Sequence, residues 1–310
     1  MSTVRPGSGD EGRRVRVRVP ATTANLGPGF DTLGMALCLY NYLEMWETPA
    51  GLEIVVEGEG TGQIVANDTN IVYQVACQVF NQSGYHPQGI GIKLTNQIPV
   101  ARGLGSSAAA LVGGILAANE LAGRRLSLDQ LLELAVGLEG HPDNVAPALL
   151  GGIVVCAQVG SGLCYRRIAP PQGLQVIVAI PKFELSTQAA RNVLPRQVPL
   201  VDAVFNISRA CLLVMAFLNQ DFALISQVMD DRLHQPYRTA LVPGLDQVFQ
   251  AAREAGALGV ALSGAGPTVV ALAREHLADV EAAMRKTLAD HGIDCTIKRL
   301  LPSTLGAEIL

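Results

Sequence analysis

Apolar and charged residues alternate with period two in VRVRV (15–19), which predicts a strand with one face in water and the other against a core. Residues 36–46 and 52–57 read as further strands, so the early chain is β-rich. After a polar turn at 66–69 the pattern changes: in NIVYQVACQVFNQSG, Ile71, Val75, Val79 and Phe80 recur at helical spacing, and the run stops at Gly84. Residues 89–94 return to a strand pattern. Ser106 is placed to cap a helix running through Leu121, with Gly123 past its end, and Ser127 with Gln130 makes an S-x-x-Q capping box for a helix over 128–138.

Two apolar runs of strand length, 151–157 and 174–180, flank Pro170 and Pro171, and these prolines mark a seam between two domains. Beyond the second run the pattern predicts helices at about 202–218, 221–233 and 244–255, strands at 259–263 and 268–273, a helix at 275–290 and a strand at 294–300. Without its extra helices this is the β-α-β-β-α-β order of a split, ferredoxin-like unit. The expected organisation is an α+β chain with a flexible tail over 1–14, a first domain over 15–171 and a second over 172–310. No internal repeat or low-complexity tract interrupts it.

Composition narrows the function classes. With 310 residues, 49% hydrophobic and 16% charged, the chain can fill a large interior. The apolar stretch 98–121 is broken by Arg102, glycines and two serines, so no membrane span is expected, and the N-terminal segment lacks the apolar core of a secretory signal. Cys38, Cys77, Cys156, Cys164, Cys211 and Cys295 lie far apart with no C-x-x-C, which argues for reduced thiols in a cytoplasmic protein over a metal cage or a disulfide framework. A net charge of -4, with no basic stripe interleaved with aromatics, gives no general attraction to nucleic acid and leaves a small molecule as the expected partner.

The stretch PVARGLGSSAAALVGG (99–114) carries the candidate chemistry. Gly103 and Gly105 allow a ligand to approach the main chain, and Ser106 and Ser107 open a helix whose first amides and dipole favour phosphate. A dinucleotide-binding turn would follow directly on a buried strand with an acidic residue about 20 positions on. Here Pro99 intervenes and residues 123–125 are Gly-Arg-Arg. A tight strand-to-helix turn that binds nothing is the plainer alternative.

PVARGLGSSAA resembles the phosphate loop P-x-x-x-G-L-G-S-S-A-A of the galactokinase, homoserine kinase, mevalonate kinase and phosphomevalonate kinase (GHMP) superfamily at every specified position. VPATTANLGPGFDTLGMAL (19–37) is similar to the N-terminal motif of its homoserine kinase branch, and LEGHPDNVAPALLGG (138–152) to that branch's substrate segment. ALSGAGPTVVAL (261–272) is similar to the superfamily's C-terminal glycine motif, with Ala265 where serine is common. The resemblance implies a two-domain GHMP kinase fold: a β-rich α/β domain like the second domain of ribosomal protein S5, then a ferredoxin-like domain. It implies an ATP-dependent phosphotransferase acting on the hydroxyl of L-homoserine, with ATP and Mg²⁺ as cofactors. A kinase of the same superfamily acting on mevalonate or an isoprenoid precursor is the alternative, and a nucleotide-binding module without catalysis a more distant one. A homodimer is expected, with no membrane partner.

By this resemblance Pro99, Val100, Ala101, Arg102, Gly103, Leu104, Gly105, Ser106, Ser107, Ala108 and Ala109 wrap the nucleotide's phosphates. Glu133 reads by itself as a solvated helix residue. It stands eleven positions before Asn144, however, the spacing that in relatives such as mevalonate kinase joins a magnesium-ligating glutamate to a catalytic aspartate, so Glu133 and Ser107 are expected to hold Mg²⁺. Asn144 replaces that aspartate and would orient the hydroxyl, which suffices for transfer through a loose transition state. Asp143 is expected to cap a helix beginning at Val145. His141 is a turn imidazole that the resemblance makes a substrate contact. Asn25 and Asp31 are turn formers by residue type; the resemblance gives Asp31 the substrate's ammonium. Arg191 in STQAAR and Arg238 in HQPYR are candidates for its carboxylate, and Thr187, one turn before Arg191, matches an active-site threonine. Asn70 either touches adenine or ribose or caps the helix after it, with 70–73 lining the base pocket. Gly264 and Gly266 either reach the substrate end or form a tight hairpin.

Overall fold

The alternation in VRVRV folds as read: Val15, Val17 and Val19 are buried, while Arg14, Arg16 and Arg18 turn outward. They do not simply enter solvent. Their guanidiniums lie over Trp46, Tyr42 and Tyr40 of the neighbouring strand, 4.1, 5.2 and 4.6 Å from the ring centroids, so the open face of the sheet is a cation–aromatic ladder. The computed structural model describes residues 13–160 and 162–310. The tail expected over 1–14 lies outside these residues except for Arg13 and Arg14, and Arg14 already belongs to the first strand.

The elements are β1 (Arg14–Ala24), β2 (Leu33–Thr48), β3 (Gly51–Gly58), α1 (Ile71–Ser83), β4 (Gly89–Asn96), α2 (Ser106–Leu121), α3 (Leu128–Glu139), α4 (Pro142–Leu150), β5 (Ile153–Val159) and β6 (Gly162–Ile168). Then follow β7 (Gln175–Pro181), α5 (Thr187–Asn192), α6 (Leu200–Asn219), α7 (Phe222–Val228), α8 (Gln235–Arg238), α9 (Leu245–Glu254), β8 (Gly259–Leu262), β9 (Val269–Ala273), α10 (Leu277–Asp290), β10 (Cys295–Leu300) and β11 (Glu308–Ile309). The first sheet runs β11-β1-β2-β4-β3, with β5 paired to β2 and β6 to β5. The second runs β10-β7-β9-β8, antiparallel throughout, which is the ferredoxin-like arrangement expected once α5 to α8 are seen as insertions after its first strand and α9, packed beside α10, as its first helix.

Strands β7, β8 and β9 of the second sheet are buried on both faces, which is why they read as unbroken apolar runs, while the edge strand β10 is half-exposed and mixes Thr296, Lys298 and Arg299 with apolar residues. Val176, Val178 and Ile180 join the core beneath the first sheet, and Ile177 and Ala179 pack with residues of α9 and α10. One core therefore runs through the seam expected near Pro171. The chain's end crosses back as well: β11 pairs with β1, and Glu308 bonds Arg18, so this last strand lies in the first sheet although it falls within 172–310.

Helix ends follow local chemistry with some departures. Asn70 caps α1 by accepting from Val72 N at 2.9 Å, and Ser127 and Gln130 form the expected capping box. Ser106 is not a cap; it is the first helical residue, and the N-cap of α2 is Gly105. The helix expected over 221–233 stops at Val228, because the Asp231 carboxylate accepts the amides of Leu233, His234 and Gln235 and opens α8 instead. Strands β6 and β11 were not foreseen. Helix α6 is long and apolar enough to cross a membrane by composition, a feature the reading of 98–121 did not reach.

Candidate active site

The phosphate loop takes left-handed backbone angles at Ala101, Gly103 and Gly105 (φ 53°, 79° and 71°). At Gly105 a side chain would overlap the Thr22 hydroxyl, and at Gly103 it would overlap the Ser263 carbonyl oxygen, so both glycines answer close approach as well as conformation. No side chain caps α2, which leaves its first amides to a ligand, and Ser106 and Ser107 line both of the adjoining cavities. The loop is tied to the second sheet's side of the molecule. Leu185 N donates to Ala101 O (3.2 Å), Thr268 N to Arg102 O (3.3 Å), and the Ser263 hydroxyl to Gly103 O (2.5 Å).

Within the expected loop, Leu104 and Ala108 are buried as anchors, Val100 and Ala109 line the apolar cavity, and Pro99 faces an outer cleft with Lys182 and Lys298. Arg102 borders the polar cavity, but its guanidinium is engaged by Val100 O, Lys182 O and Glu184. It is thus not a free counter-charge.

Glu133 is not in this site. It is exposed on α3 and lines a separate surface hollow with Asp129 and residues of β6, because its position points away from the loop. The carboxylate beside Ser107 is Glu139, at the end of the same helix: Ser107 Oγ donates to its Oε2 at 3.3 Å. Burial pushes the Glu139 carboxyl above the usual range, against the lowering pull of His141 and the Ser107 hydroxyl. Six residues separate Glu133 from Glu139, nearly two turns, and only the later one lies in the cavity. Hard oxygens from Ser107 and Glu139 at the mouth of α2 fit Mg²⁺, and burial of the carboxylate is what a neighbouring cation would relieve.

Asn144 lies in the cavity wall, where the Thr22 hydroxyl donates to its Oδ1 at 2.7 Å. That bond engages the amide's oxygen and leaves its NH₂ without a bond among the described residues. Asp143 does not cap α4, which begins at Pro142 and not at Val145; it is buried in the first turn, and His141 Nδ1 donates to its Oδ1 at 2.6 Å. Burial opposes charge on His141, yet the bond and charge of Asp143, with Glu139 and Asp31 nearby, outweigh it and raise the imidazole above its ordinary value. Asp31, His141 and Asp143 cluster closely enough to suggest a metal site. Both oxygens of Asp31 are held by an arginine, and His141 Nδ1 and Asp143 Oδ1 are held by each other.

That arginine is Arg191, whose Nη1 and Nη2 donate to Asp31 Oδ2 and Oδ1 at 3.1 and 2.9 Å. The two residues expected at opposite ends of the substrate thus hold each other when nothing lies between them. Arg238 is deeper. Its Nε donates to Ala190 O, and its Nη1 to Gly264 O and to His234 Nδ1, at 3.0–3.1 Å, leaving Nη2 toward the cavity. Burial, and then the charge of Arg191, lower its pKa. The buried His234 donates from Nε2 to Gly27 O and stacks on Phe30 with ring centroids 5.0 Å apart. Burial pushes His234 down, so it is the neutral tautomer that accepts from Arg238. Phe30 in turn lies 5.8 and 5.5 Å from the guanidinium carbons of Arg191 and Arg238.

Asn25 borders the same cavity with both ends of its amide occupied: Oδ1 accepts from Asp31 N, and Nδ2 donates to Gly264 O, each at 3.0 Å. Gly264 and Gly266 turn the chain between β8 and β9 and also line the cavity, so the two readings of that motif coexist. Thr187 borders both cavities and Arg191 the polar one, from one face of α5. The second, mainly apolar cavity of about 340 Å³ is walled by Tyr42, Ile64, Ile71, Val72 and Val100. Asn70 sits at its edge, but its amide is spent on Val72 N and Val65 O, so the capping alternative is the one realised.

Sequence reasoning missed Thr22, Phe30, Glu139 and His234. Glu139 stood inside LEGHPDN, one of the quoted motifs, and adherence to an eleven-residue spacing passed over it. Thr22 and Phe30 stood inside the quoted segment 19–37 and His234 inside HQPYR, but the bond from Thr22 to Asn144 and the stacking of Phe30 on His234 join residues far apart in sequence, so nothing local marked their part.

Residues 70–152 match the GHMP kinases N terminal domain and residues 213–290 the GHMP kinases C terminal domain. The chain is 52% identical over 294 residues to a homoserine kinase of Moorella thermoacetica, covering 95% of this chain and 99% of the relative. It is 47% identical over 293 residues to a homoserine kinase of Carboxydothermus hydrogenoformans, covering 94% and 96%. The crystal structure of a homoserine kinase from Cytophaga hutchinsonii matches with a TM-score of 0.88 at 32% identity, over 99% of this chain and 100% of that one. A mevalonate kinase of L. major in complex with R-mevalonate shares the fold, with a TM-score of 0.72 at 18% identity over 96% and 98%.

Proposed function

The chain belongs to the GHMP kinase family, beside homoserine kinases that it matches from end to end, and we propose that it transfers the γ-phosphoryl group of ATP to the hydroxyl of L-homoserine. The product is O-phospho-L-homoserine, a step toward threonine in the cytoplasm. The observation that carries the acceptor is the Asp31–Arg191 pair with Arg238 behind it. A zwitterion can replace that ion pair charge for charge, its ammonium on Asp31 and its carboxylate on the Arg191 fork and the Nη2 of Arg238. Mevalonate has a carboxylate but no ammonium, and would leave Asp31 uncompensated.

In this reading the apolar cavity takes adenine and the amides at the mouth of α2 take the phosphates. Ser107 and Glu139 hold Mg²⁺, which supplies charge neutralisation on the phosphate oxygens. The Asn144 NH₂, aimed by Thr22, orients the attacking hydroxyl toward the γ-phosphorus. As the new O–P bond forms and the bond to ADP breaks, the hydroxyl proton passes late to an oxygen of the transferred phosphoryl group and on to water, so alignment and charge stabilisation carry the barrier reduction with no carboxylate base. His234 and Phe30 keep Arg238 and Arg191 in register with the substrate's carboxylate.

ADP release measured against homoserine, mevalonate and water tests this directly. Stimulation by homoserine alone is expected. Stimulation by mevalonate without homoserine would replace the acceptor, and ATP binding with no stimulated turnover would remove the activity.

A further inference from the structure

The loop that carries Asp31, residues 25–31, is held in an unfavourable shape. Asn25, Leu26, Gly27 and Asp31 take left-handed backbone angles (φ 71°, 48°, 81° and 52°), and only one of the four is a glycine. Such a backbone persists where its surroundings over-determine it. Inside the loop, Gly29 N donates to Asn25 O and Asp31 N to Asn25 Oδ1, each at 3.0 Å. From outside, the Asn25 amide is tied to Gly264 O and His234 holds Gly27 O, while a side chain at Gly27 would overlap the Met229 carbonyl oxygen. From Pro28 to Asp31, two hydrogen-bonded ties reach beyond the loop among the described residues. One is the Arg191–Asp31 pair, and the other is a bond from Asn206 Nδ2 to Pro28 O at 3.2 Å. Asn206 comes from α6, is buried, and uses its whole amide: Nδ2 also donates to Asp231 Oδ1 at 2.7 Å, and Oδ1 accepts from Arg232 N at 2.8 Å. Asp231 is the carboxylate that opens α8, the helix of Arg238. One buried side chain therefore joins the loop of the expected ammonium ligand to the cap of the helix that brings a carboxylate ligand.

We propose that Asn206 is a positioning residue for the acceptor's ammonium, keeping Asp31 in place once the substrate has parted it from Arg191. The inference rests on the acceptor reading above. A zwitterion that takes Asp31 and Arg191 removes their ion pair from the restraints on the loop, and the bond at Pro28 is then the hydrogen bond nearest to Asp31 that anchors the loop from outside. Without Asn206, α8 keeps its own supports. Asp231 still accepts from Leu233, His234 and Gln235, and Arg238 still holds Ala190 O, Gly264 O and His234. The ammonium end of the site loosens and the carboxylate end does not. If Asn206 served only the packing of α6, its loss would cost stability as any cavity in that helix does, with no preference between the two ends.

Steady-state ADP release with two competitive inhibitors of homoserine separates these roles. L-α-aminobutyrate is the zwitterion without the hydroxyl, and butyrate offers the carboxylate alone. Asn206→Leu keeps the volume, and Asn206→Ser is a milder change whose hydroxyl is too short to reach Pro28 O. In both, KM for homoserine and Ki for L-α-aminobutyrate should rise roughly tenfold, the worth of one good hydrogen bond. Ki for butyrate and KM for ATP should stay within about two-fold of the parent. Leu213→Ala opens a cavity against the same helix, at a fully buried position, and should lower Tm while leaving the ratio of the two inhibition constants unchanged. Inhibition constants that rise together in the Asn206 variants, a homoserine KM that stays at the parent value, or a ratio that shifts equally in Leu213→Ala overturns the positioning role while the acceptor reading stands. A parent protein that homoserine does not stimulate removes both.

Discussion

Glu139→Gln removes one negative charge from the junction of the two cavities and keeps the side chain's size and one of its oxygens. The Ser107 hydroxyl lies 3.3 Å from that carboxylate, which sets the scale of the pocket a cation would share with it. A unit charge pair about 4 Å apart at an effective dielectric of ~20 is worth about 4 kcal/mol. The amide oxygen can still ligate, so a loss of about 3 kcal/mol is the reasonable share, or on the order of 10²-fold in turnover with MgATP. Coupled ADP-release kinetics at varied Mg²⁺ would read this as a lower rate and a higher Mg²⁺ requirement. Because burial raises the Glu139 pKa, the Mg²⁺ requirement of the parent enzyme should begin to climb, as pH falls, at a higher pH than an ordinary carboxylate would give, and the variant should lack that rise. Glu133→Gln, on the exposed side of α3, should behave as the parent. A near-normal Glu139→Gln beside a crippled Glu133→Gln would refute the assignment and restore the eleven-residue spacing.

Arg191→Ala should raise KM for homoserine by roughly 10- to 10²-fold, since a charged hydrogen-bonded contact is worth about 1.5–3 kcal/mol, with little change for ATP; equal effects on both substrates would contradict its role at the carboxylate. Gly105→Ala forces a side chain into the Thr22 hydroxyl at a left-handed position, and should cost at least about 1 kcal/mol of stability and most of the ATP affinity; calorimetry and the KM for ATP check both. The raised His141 pKa means its bond to Asp143 stabilises the fold fully below the ordinary imidazole value of 6.5 and loses this contribution as pH rises through the higher folded value. The Tm difference between the parent and His141→Gln should therefore shrink from pH 5.5 to pH 9, as measured in about half-unit steps; a constant difference would exclude this linkage.

Much of the fold was legible because its signals are local. The period-two run at 15–19, the capping box at Ser127 and the stop at Gly84 each report on chemistry within a few residues. Strands β7, β8 and β9 were legible for another reason: burial on both faces leaves an apolar run that needs no partner to be recognised. The misses have physical causes. β6, with Tyr165, Arg166 and Arg167, pairs with β5 alone and carries no clean alternation, and β11 has two residues. In the site, residue types and motif spacing brought the phosphate loop, Asn144, Asp31, Arg191 and Arg238 to one cavity. Glu133 fell outside this cavity because a spacing borrowed from relatives stood in for helix geometry, and the carboxylate that lines it, Glu139, is six positions further on. Thr22 stood in a quoted motif without a role, since it matters through a bond to a residue 122 positions away, and His234, four residues before Arg238, is fixed by a bond to a residue 207 positions away.

The stitches from Ala101, Arg102 and Gly103 to Leu185, Thr268 and Ser263 have an evolutionary consequence. The loop proposed to cradle the triphosphate is held jointly by both halves of the polypeptide, so neither half can be cut away, borrowed or fused elsewhere as a portable nucleotide-binding cassette. Such a chain diversifies by changing the few side chains at the acceptor end, where Asp31, Arg191 and Arg238 sit, and inherits its grip on ATP whole.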